Sequence, residues 1–149
     1  MKNKMWVWVD LERTGDDINI DKIIRLEISL TDRQLSNLVE GPRIVIDEQA
    51  ADQFVPLEEA SMILHQFLSD HSVTGGVLCG NNIQLDTIFL QRLMPALFER
   101  TIDPTNVIDI STFQELGKIW HNMEPPSFDC PSRTPVSYTH LTLPTNREV

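Results

Sequence analysis

The sequence has few cysteines and few basic residues, and both shortages limit what the protein can do. Its two cysteines, Cys79 and Cys130, lack metal-ligand spacing, and Cys79 falls in an apolar run typical of a buried strand. This usage favours a reducing, intracellular environment. Lysine and arginine number 12 against 22 acidic residues, which gives a net charge of −10. That balance argues against extended contacts with duplex DNA, but not against a very short nucleic acid or a site rich in cations.

Long apolar runs are also missing. None is long enough to span a bilayer, and the N-terminal MKNKMW lacks the apolar region of a signal peptide. We therefore expect no membrane-spanning segment. The 149 residues suit one domain, and contents of 41% apolar and 23% charged residues are ordinary for a globular protein.

The apolar pattern predicts five strands and three helices in the order β-β-β-α-β-α-β-α. We expect strands at 5–10, 22–32, 37–46, 77–80 and 106–110, and helices at 56–71, 85–100 and 111–121. Gly41-Pro42 predicts a bulge or an edge, Pro95 predicts a break or kink, and Ser111 with Gln114 predicts a capping box. Three leading strands followed by strand–helix alternation indicate an α/β fold with a mixed sheet.

Three carboxylates fall where such a fold places reacting groups. Asp10 and Glu12 are two residues apart at the end of the first strand, so they point to one face. Asp86 lies in the first turn of the helix after the fourth strand, and it reaches them if strands one and four are neighbours. Close carboxylates repel unless cations separate them, and oxygen ligands suit Mg²⁺ or Mn²⁺. Two such ions about 3.5–4 Å apart can hydrolyse a phosphodiester.

Two other interpretations of these acids stay open at this point. Asp10 and Glu12 can be solvated residues at a strand end, with Asp86 favoured by the helix dipole. The stretch DLERT also imitates the Asp-x-Asp-x-Thr of haloacid-dehalogenase-type phosphatases, although Glu12 replaces the second aspartate and a late Gly-Asp-x-x-x-Asp cluster is missing from the sequence.

Five segments in register resemble the oligoribonuclease family, a branch of the DEDDh 3′-to-5′ exonucleases. They are WVDLERTG, DKIIRLEISLTD, LVEGPRIVI, CGNNIQLDTIFLQRLMPAL and VIDISTFQEL, and the resemblance extends from about residue 5 to about residue 120. It implies an α/β, ribonuclease H-like mixed five-stranded sheet with flanking helices, incomplete at the C-terminus. It also matches Asp10 and Glu12 to the first exonuclease motif and Asp86 to the second, as catalytic and metal-binding residues.

The resemblance further implies an activity. It predicts a 3′-to-5′ exoribonuclease that hydrolyses short single-stranded RNA oligonucleotides to 5′-mononucleotides with two Mg²⁺ or Mn²⁺ ions. It predicts a homodimer that acts in the cytoplasm, and in mitochondria in eukaryotes, without a membrane partner. The alternative is a non-catalytic relative that keeps the fold as an oligonucleotide-binding or scaffold protein.

Several positions depart from the family pattern. Arg13 replaces an apolar residue, and Asp16 replaces a leucine that packs on the terminal bases of the substrate. Arg25 and Glu27 enter a stretch expected to be buried, where an unpaired charge is costly. Only residues 47–55 stand where the family has a longer helical insertion. Thr105 and Asn106 occupy the region of an expected tyrosine.

The third motif, His-x-x-x-x-Asp, is the largest departure. In the family it supplies the general base and the last metal-binding aspartate, but here the only late histidine, His140, is followed five residues later by Thr145. Residues 134–149 resemble translated cloning-adapter sequence, so we expect a disordered tail there and an exonuclease domain over 1–133 that lacks this motif. We expect weak or no activity. His65, His71 and His121 are expected at helix surfaces or ends.

Overall fold

A five-stranded mixed sheet organises residues 4–124, the part of the chain that the computed structural model describes. The strands are β1 (Trp6–Arg13), β2 (Ile23–Thr31), β3 (Leu38–Val45), β4 (Gly76–Gly80) and β5 (Ile102–Asp109). The α-helices are α1 (Leu57–Asp70), α2 (Ile83–Leu93) and α3 (Ile110–His121), and a 3₁₀ helix spans Pro95–Phe98. The predicted order of elements is confirmed.

Strand β1 occupies the centre of the sheet, whose order is β3-β2-β1-β4-β5. It pairs antiparallel with β2 along its whole length but parallel with β4 only from Trp6 to Trp8. Strands one and four are therefore neighbours, as the expected meeting of the acids requires. The second half of β1 extends beyond the end of β4 and is paired with β2 only.

The two faces of the sheet carry different side chains because successive residues of a strand point in opposite directions. Val7 and Val9 of β1 face the main core, which α1 and α2 complete with residues such as Leu64 and Phe89. Trp8 faces the other way, with Val77 and Cys79 of β4. The prediction that Cys79 lies in a buried strand is confirmed, and burial raises the pKa of its thiol to about 12.

Strand β3, which contains Gly41-Pro42, is an edge strand with a bulge, as the sequence predicts. The pairing of β2 with β3 shifts register opposite Gly41-Pro42, where Glu27 pairs with Arg43 and Ser29 pairs with Glu40. A β-carbon on Gly41 would lie 2.5 Å from the Ile28 carbonyl and 2.7 Å from the Phe67 ring of α1. Glycine is therefore required for the close contact between this bulge and α1.

Some element boundaries differ from the predictions, and one predicted helix break is confirmed. Strand β5 begins at Ile102, because an edge strand tolerates Pro104; the register then shifts from Asp103 directly to Val107. The capping box is wrong, since α3 begins at Ile110 and its N-cap is Asp109, whose carboxylate accepts from the Ser111 amide. The predicted break at Pro95 is confirmed, because α2 ends at Leu93 and a 3₁₀ turn follows.

Residues 47–55 form a short loop, in which Gln49 N donates to Asp47 Oδ1 at 3.0 Å and Val55 N donates to the Val45 carbonyl at 2.8 Å.

None of the helices found between residues 4 and 124 combines the length and the apolar character that crossing a bilayer demands.

Candidate active site at the end of β1

The three predicted acids lie around the part of β1 that extends beyond β4. Asp10 and Glu12 continue the face of β1 that carries Trp8, and they lie within the strand, since β1 runs on to Arg13. Asp86 lies in the first turn of α2, directly after the β4–α2 connection. That connection is tight, because a β-carbon on Gly80 would lie 2.9 Å from the Val9 carbonyl. Asn82 adopts a left-handed φ of 54°, which turns the chain into the helix.

Asp10 is partly buried among other acids. Its pKa is raised from 3.8 to about 7, mainly by burial and also by the negative charges of Asp86, Glu27 and Glu12, while Arg13 acts to lower it. Glu27 lies directly opposite Asp10 in the β1–β2 pairing and is buried. The interpretation of Asp10 as a freely solvated strand-end acid therefore does not fit its surroundings.

Asp86 is buried against a cation supplied by the same chain. Its side chain is only 8% exposed, and its carboxylate accepts a hydrogen bond from Arg13 Nη1. Burial raises the pKa of Asp86 to about 7, with Arg13 acting in the opposite direction and Asp109 adding to the increase. The Arg13 guanidinium also lies 5.1 Å from the centre of the Phe89 ring. Arg13, the charged residue that replaces an apolar residue of the family pattern, therefore lies inside the site.

Arg25 and Glu27 are each paired, but not with each other. Arg25 Nε lies 3.7 Å from Glu12 Oε2, its cross-strand neighbour, and Arg43 Nε lies 3.3 Å from Glu27 Oε1. The expectation of burial is correct for Glu27 and wrong for Arg25, whose side chain is partly exposed. Glu12 is 47% exposed, so it is the most solvated of the three predicted site residues.

Asp109 is a site-supporting residue that the sequence analysis missed. Its carboxylate accepts hydrogen bonds from Asn82 N at 3.0 Å and Ile83 N at 3.2 Å, the first amides of α2. It also accepts from Ser111 N and Oγ, at the start of α3. One carboxylate therefore caps two helix N-termini and holds the turn that carries Asp86. Its position at the end of β5 was the available signal.

Carboxylate oxygens are the donors that Mg²⁺ and Mn²⁺ prefer. The site does not form a complete set of metal ligands, however, because residues 4–124 contain no group of three or more His, Cys, Asp or Glu side chains placed to hold a metal ion. The ion pair of Asp86 with Arg13 supplies a reason, since it gives Asp86 an internal cation. The donor chemistry fits a divalent ion, whereas this arrangement of the side chains does not.

The remaining predicted positions are mostly exposed residues or lie outside the described residues. His71 and His121 are exposed residues at the C-terminal ends of α1 and α3, as expected, and His65 is a partly buried residue of α1. Asp16 is 81% exposed and lies 3.3 Å from Arg13 Nη2. Thr105 and Asn106 are exposed in β5. His140, Thr145 and the predicted tail at 134–149 lie outside the described residues.

Comparison with known proteins assigns the family. No family model matches the chain. A probable oligoribonuclease of Dictyostelium discoideum is 32% identical in an alignment of length 144 that covers 80% of this chain and 75% of that protein. The oligoribonuclease of Dichelobacter nodosus is 35% identical in an alignment of length 145 that covers 80% of this chain and 78% of that protein. The oligoribonuclease of Shewanella loihica is 34% identical in an alignment of length 140 that covers 76% of this chain and 75% of that protein.

Solved structures confirm the predicted ribonuclease H-like fold. The zinc-bound complex of Escherichia coli exonuclease I with single-stranded DNA has a TM-score of 0.71 at 12% identity, covering 95% of this chain but 39% of that one. Exonuclease I of Methylocaldum szegediense has a TM-score of 0.64 at 18% identity, covering 94% of this chain and 35% of that one. The phosphatase interpretation is not supported by any of these matches. The similarity to these oligoribonucleases shows that this chain belongs to the oligoribonuclease family.

Proposed function

We propose that this protein is a divalent-metal-dependent 3′-to-5′ exoribonuclease that hydrolyses short RNA to 5′-mononucleotides. The observation that supports it is the position of Asp10, Glu12 and Asp86. They flank the one part of β1 that β4 leaves open, in a chain of the oligoribonuclease family. The same three residues are the proposed metal ligands.

The chemistry of this proposal starts from the buried acids. A divalent ion bound there, with a second beside it, would supply a more acidic water and stabilise the charge on the phosphate. The chain contributes the binding groups and their orientation. Asp10 and Asp86, with pKa values near 7, hold a proton readily at neutral pH, and a bound cation would favour the charged forms. Asp109 fixes the first turn of α2 and hence the position of Asp86.

The names of the relatives support a proposal for the substrate, and the assembly and location remain expectations from the family resemblance. The oligoribonucleases named above indicate short RNA, and several exonuclease I structures similar in fold contain single-stranded oligonucleotides. We propose short single-stranded RNA as the substrate, a homodimer as the assembly, and the cytoplasm or mitochondria as the location. We also propose weak or no turnover for this chain, because residues 4–124 contain no histidine grouped with Asp10, Glu12 and Asp86.

A second candidate is a non-catalytic protein of the same fold that binds oligonucleotides or acts as a scaffold. The ion pair of Arg13 with Asp86 favours it, because a guanidinium on a metal-binding acid opposes metal binding. The two candidates differ in one property, the release of mononucleotides.

The test is the digestion of a five-nucleotide RNA carrying a 5′ label, in Mn²⁺ and without metal. We expect binding, together with slow shortening from the 3′ end that requires Mn²⁺ and falls at least about tenfold in Asp10→Asn and Asp86→Asn. Glu115→Gln, which changes an exposed acid of α3, should leave the rate unchanged. A circular RNA of the same sequence should not be cut, because it has no 3′ end.

The outcomes separate the two candidates. RNA binding without Mn²⁺-dependent product, equal in the native chain and in Asp10→Asn, would support the non-catalytic protein. Cleavage of the circular RNA would contradict an exonuclease. Rapid turnover that is lost in Asp10→Asn would contradict the expectation of a weak enzyme while confirming the site.

A further inference from the structure

Three arginines each neutralise one of the three acids that surround Asp10. Arg25 pairs with Glu12, Arg43 pairs with Glu27 and Arg13 pairs with Asp86. These three acids are also the carboxylates that raise the pKa of Asp10. Within residues 4–124, no salt bridge joins Asp10 itself to a basic side chain. The chain therefore supplies much of the positive charge that this acidic cluster needs.

Of the three pairs, Arg13–Asp86 is the most buried. The side chains of Arg13 and Asp86 are 18% and 8% exposed, whereas Arg25 and Arg43 are 38% and 50% exposed. Water therefore screens the pairs of Arg25 and Arg43 with their acids more strongly. The Arg13 guanidinium lies over the Phe89 ring of α2, and its Nε has no hydrogen-bond partner in the described chain. Removing this cation would leave a buried carboxylate unpaired, which is costly.

Strand geometry explains why Arg13 reaches Asp86. The pairing of β1 with β2 is regular from Trp6 to Glu12 and shifts at Arg13, which pairs with Ile23. In the alternation of β1, Arg13 follows Val9 and Leu11 on the core side, where α2 packs, whereas Asp10 and Glu12 follow Trp8. Only this residue of the DLERTG stretch combines a positive charge with a position facing α2.

We infer that Arg13 is a built-in counterion that competes with divalent cations for Asp86. The inference rests on the proposed function, because it takes Asp86 as a metal ligand. A guanidinium and a divalent ion cannot both occupy the same carboxylate oxygen, so a metal ion that uses this oxygen binds only when Arg13 leaves it. When no metal ion is bound, Arg13 stabilises the folded chain. The pair makes the metal-free protein stable and the metal-loaded protein harder to form.

The test measures Mn²⁺ binding to the full chain by the loss of the free-ion electron paramagnetic resonance signal, at about pH 8, where protons compete less for carboxylates. In Arg13→Met the positive charge is gone, while an unbranched apolar chain can still lie against Phe89. We expect this variant to bind Mn²⁺ at least about tenfold more tightly than the native chain. We also expect its melting temperature in EDTA to fall by several degrees, and the increase on adding Mn²⁺ to exceed that of the native chain.

Two matched variants make the result specific. Asp16→Asn removes the other, exposed partner of Arg13 and should change the Mn²⁺ affinity less than about twofold. Arg13→Lys keeps a positive charge and should stay within about threefold of the native affinity. Asp86→Asn should bind Mn²⁺ more weakly than the native chain, because it removes a ligand.

A measurement on the native chain does not depend on whether a variant folds. The side-chain nitrogen resonances of Arg13 should shift during a titration with diamagnetic Mg²⁺, as the guanidinium leaves Asp86, while those of Arg92 should not. Arg92 bonds Asn19 Oδ1 at 3.1 Å and has no acid partner among the described salt bridges. Saturation with Mg²⁺ without any change at Arg13 would overturn the inference.

The outcomes distinguish this inference from the proposed function. If Arg13→Met binds Mn²⁺ no more tightly than the native chain while Asp86→Asn binds it more weakly, the metal site stands and the competition is wrong. If no form of the protein binds Mn²⁺, or if Asp10→Asn and Asp86→Asn bind it as the native chain does, both the metal site and the competition are wrong. Tighter binding in Arg13→Met alone confirms the competition.

Discussion

The two halves of β1 are adjacent in sequence and differ in almost every physical property. The first half, from Trp6 to Val9, has strands on both sides and is largely buried. The second half, from Asp10 to Arg13, has β2 on one side and extends beyond β4 on the other. The first half stabilises the sheet through apolar burial. The second half holds carboxylates close together, which disfavours their charged forms.

This difference shows how a central strand can contain both core and site. The register of β1 with β4 ends at Trp8, so the next residue on the same face, Asp10, escapes the apolar packing of Trp8 against Val77 and Cys79. The helix that follows β4 then brings Asp86 to the space that is left. Substitutions in the two halves should therefore differ in their effects.

The largest effect is expected in the buried half. Trp8→Ala should lower the free energy of unfolding by about 3–5 kcal/mol, because it opens a cavity and removes the partner of Thr31 Oγ1, which accepts from Trp8 Nε1 at 2.9 Å. Urea denaturation measures the loss. Glu12→Gln in the other half should cost about 0.5 kcal/mol or less, because its pair with Arg25 is exposed. Equal losses in the two variants would refute the contrast.

The next effect concerns the residue that holds the polar half together. Asp109→Ala should lower the free energy of unfolding by about 2 kcal/mol, since four donors at two helix N-termini lose their acceptor. Amide hydrogen exchange at Asn82 and Ile83 should accelerate. Asp103→Ala, which removes an acceptor that Thr105 uses, should cost less than about 1 kcal/mol and leave those two amides protected. Unchanged exchange in Asp109→Ala would contradict the bridging role.

The smallest effect is a dependence on pH in the polar half. Since the pKa of Asp10 rises from 3.8 to about 7 on folding, the folded state binds its proton more tightly than the unfolded chain. The stability contributed by this residue is therefore present below about pH 4 and is lost as pH rises through 7. Asp10→Asn cannot ionise, so in EDTA its stability relative to the native chain should increase over that range, by about 1–2 kcal/mol after allowance for partial solvation. A difference that is constant from pH 4 to pH 8 would show that Asp10 is not strained.

Much of the fold was predictable because its signals are local. The pattern of the apolar residues located each strand and α-helix of residues 4–124, and Gly41-Pro42 and Pro95 marked a real bulge and a real helix end. The early start of β5 was not predictable, because Pro104 reads as a strand breaker unless the strand is known to lie at an edge. The true N-cap of α3 was missed because Ser111 offers the standard capping pattern two residues late.

The candidate site was predictable in its members but not in its pairing. The family resemblance selected Asp10, Glu12 and Asp86, and the i, i+2 spacing placed the first two on one face. Nothing local linked Arg13 to Asp86, 73 residues away, or Asp109 to Asn82, 27 residues away. The partners of Arg25 and Glu27 also depended on which residues of the neighbouring strands lie opposite them.

Periodicity and short motifs were enough to predict the α/β class, the order of the elements, the family and the three candidate acids, because they are properties of neighbouring residues. The burial of Asp86 against Arg13, the capping of two helices by Asp109 and the crowding of Asp10 by acids became visible only in the three-dimensional arrangement. Those features depend on where β4 stops beside β1 and on how α2 packs over the sheet, and burial by distant segments sets the energies of these charges.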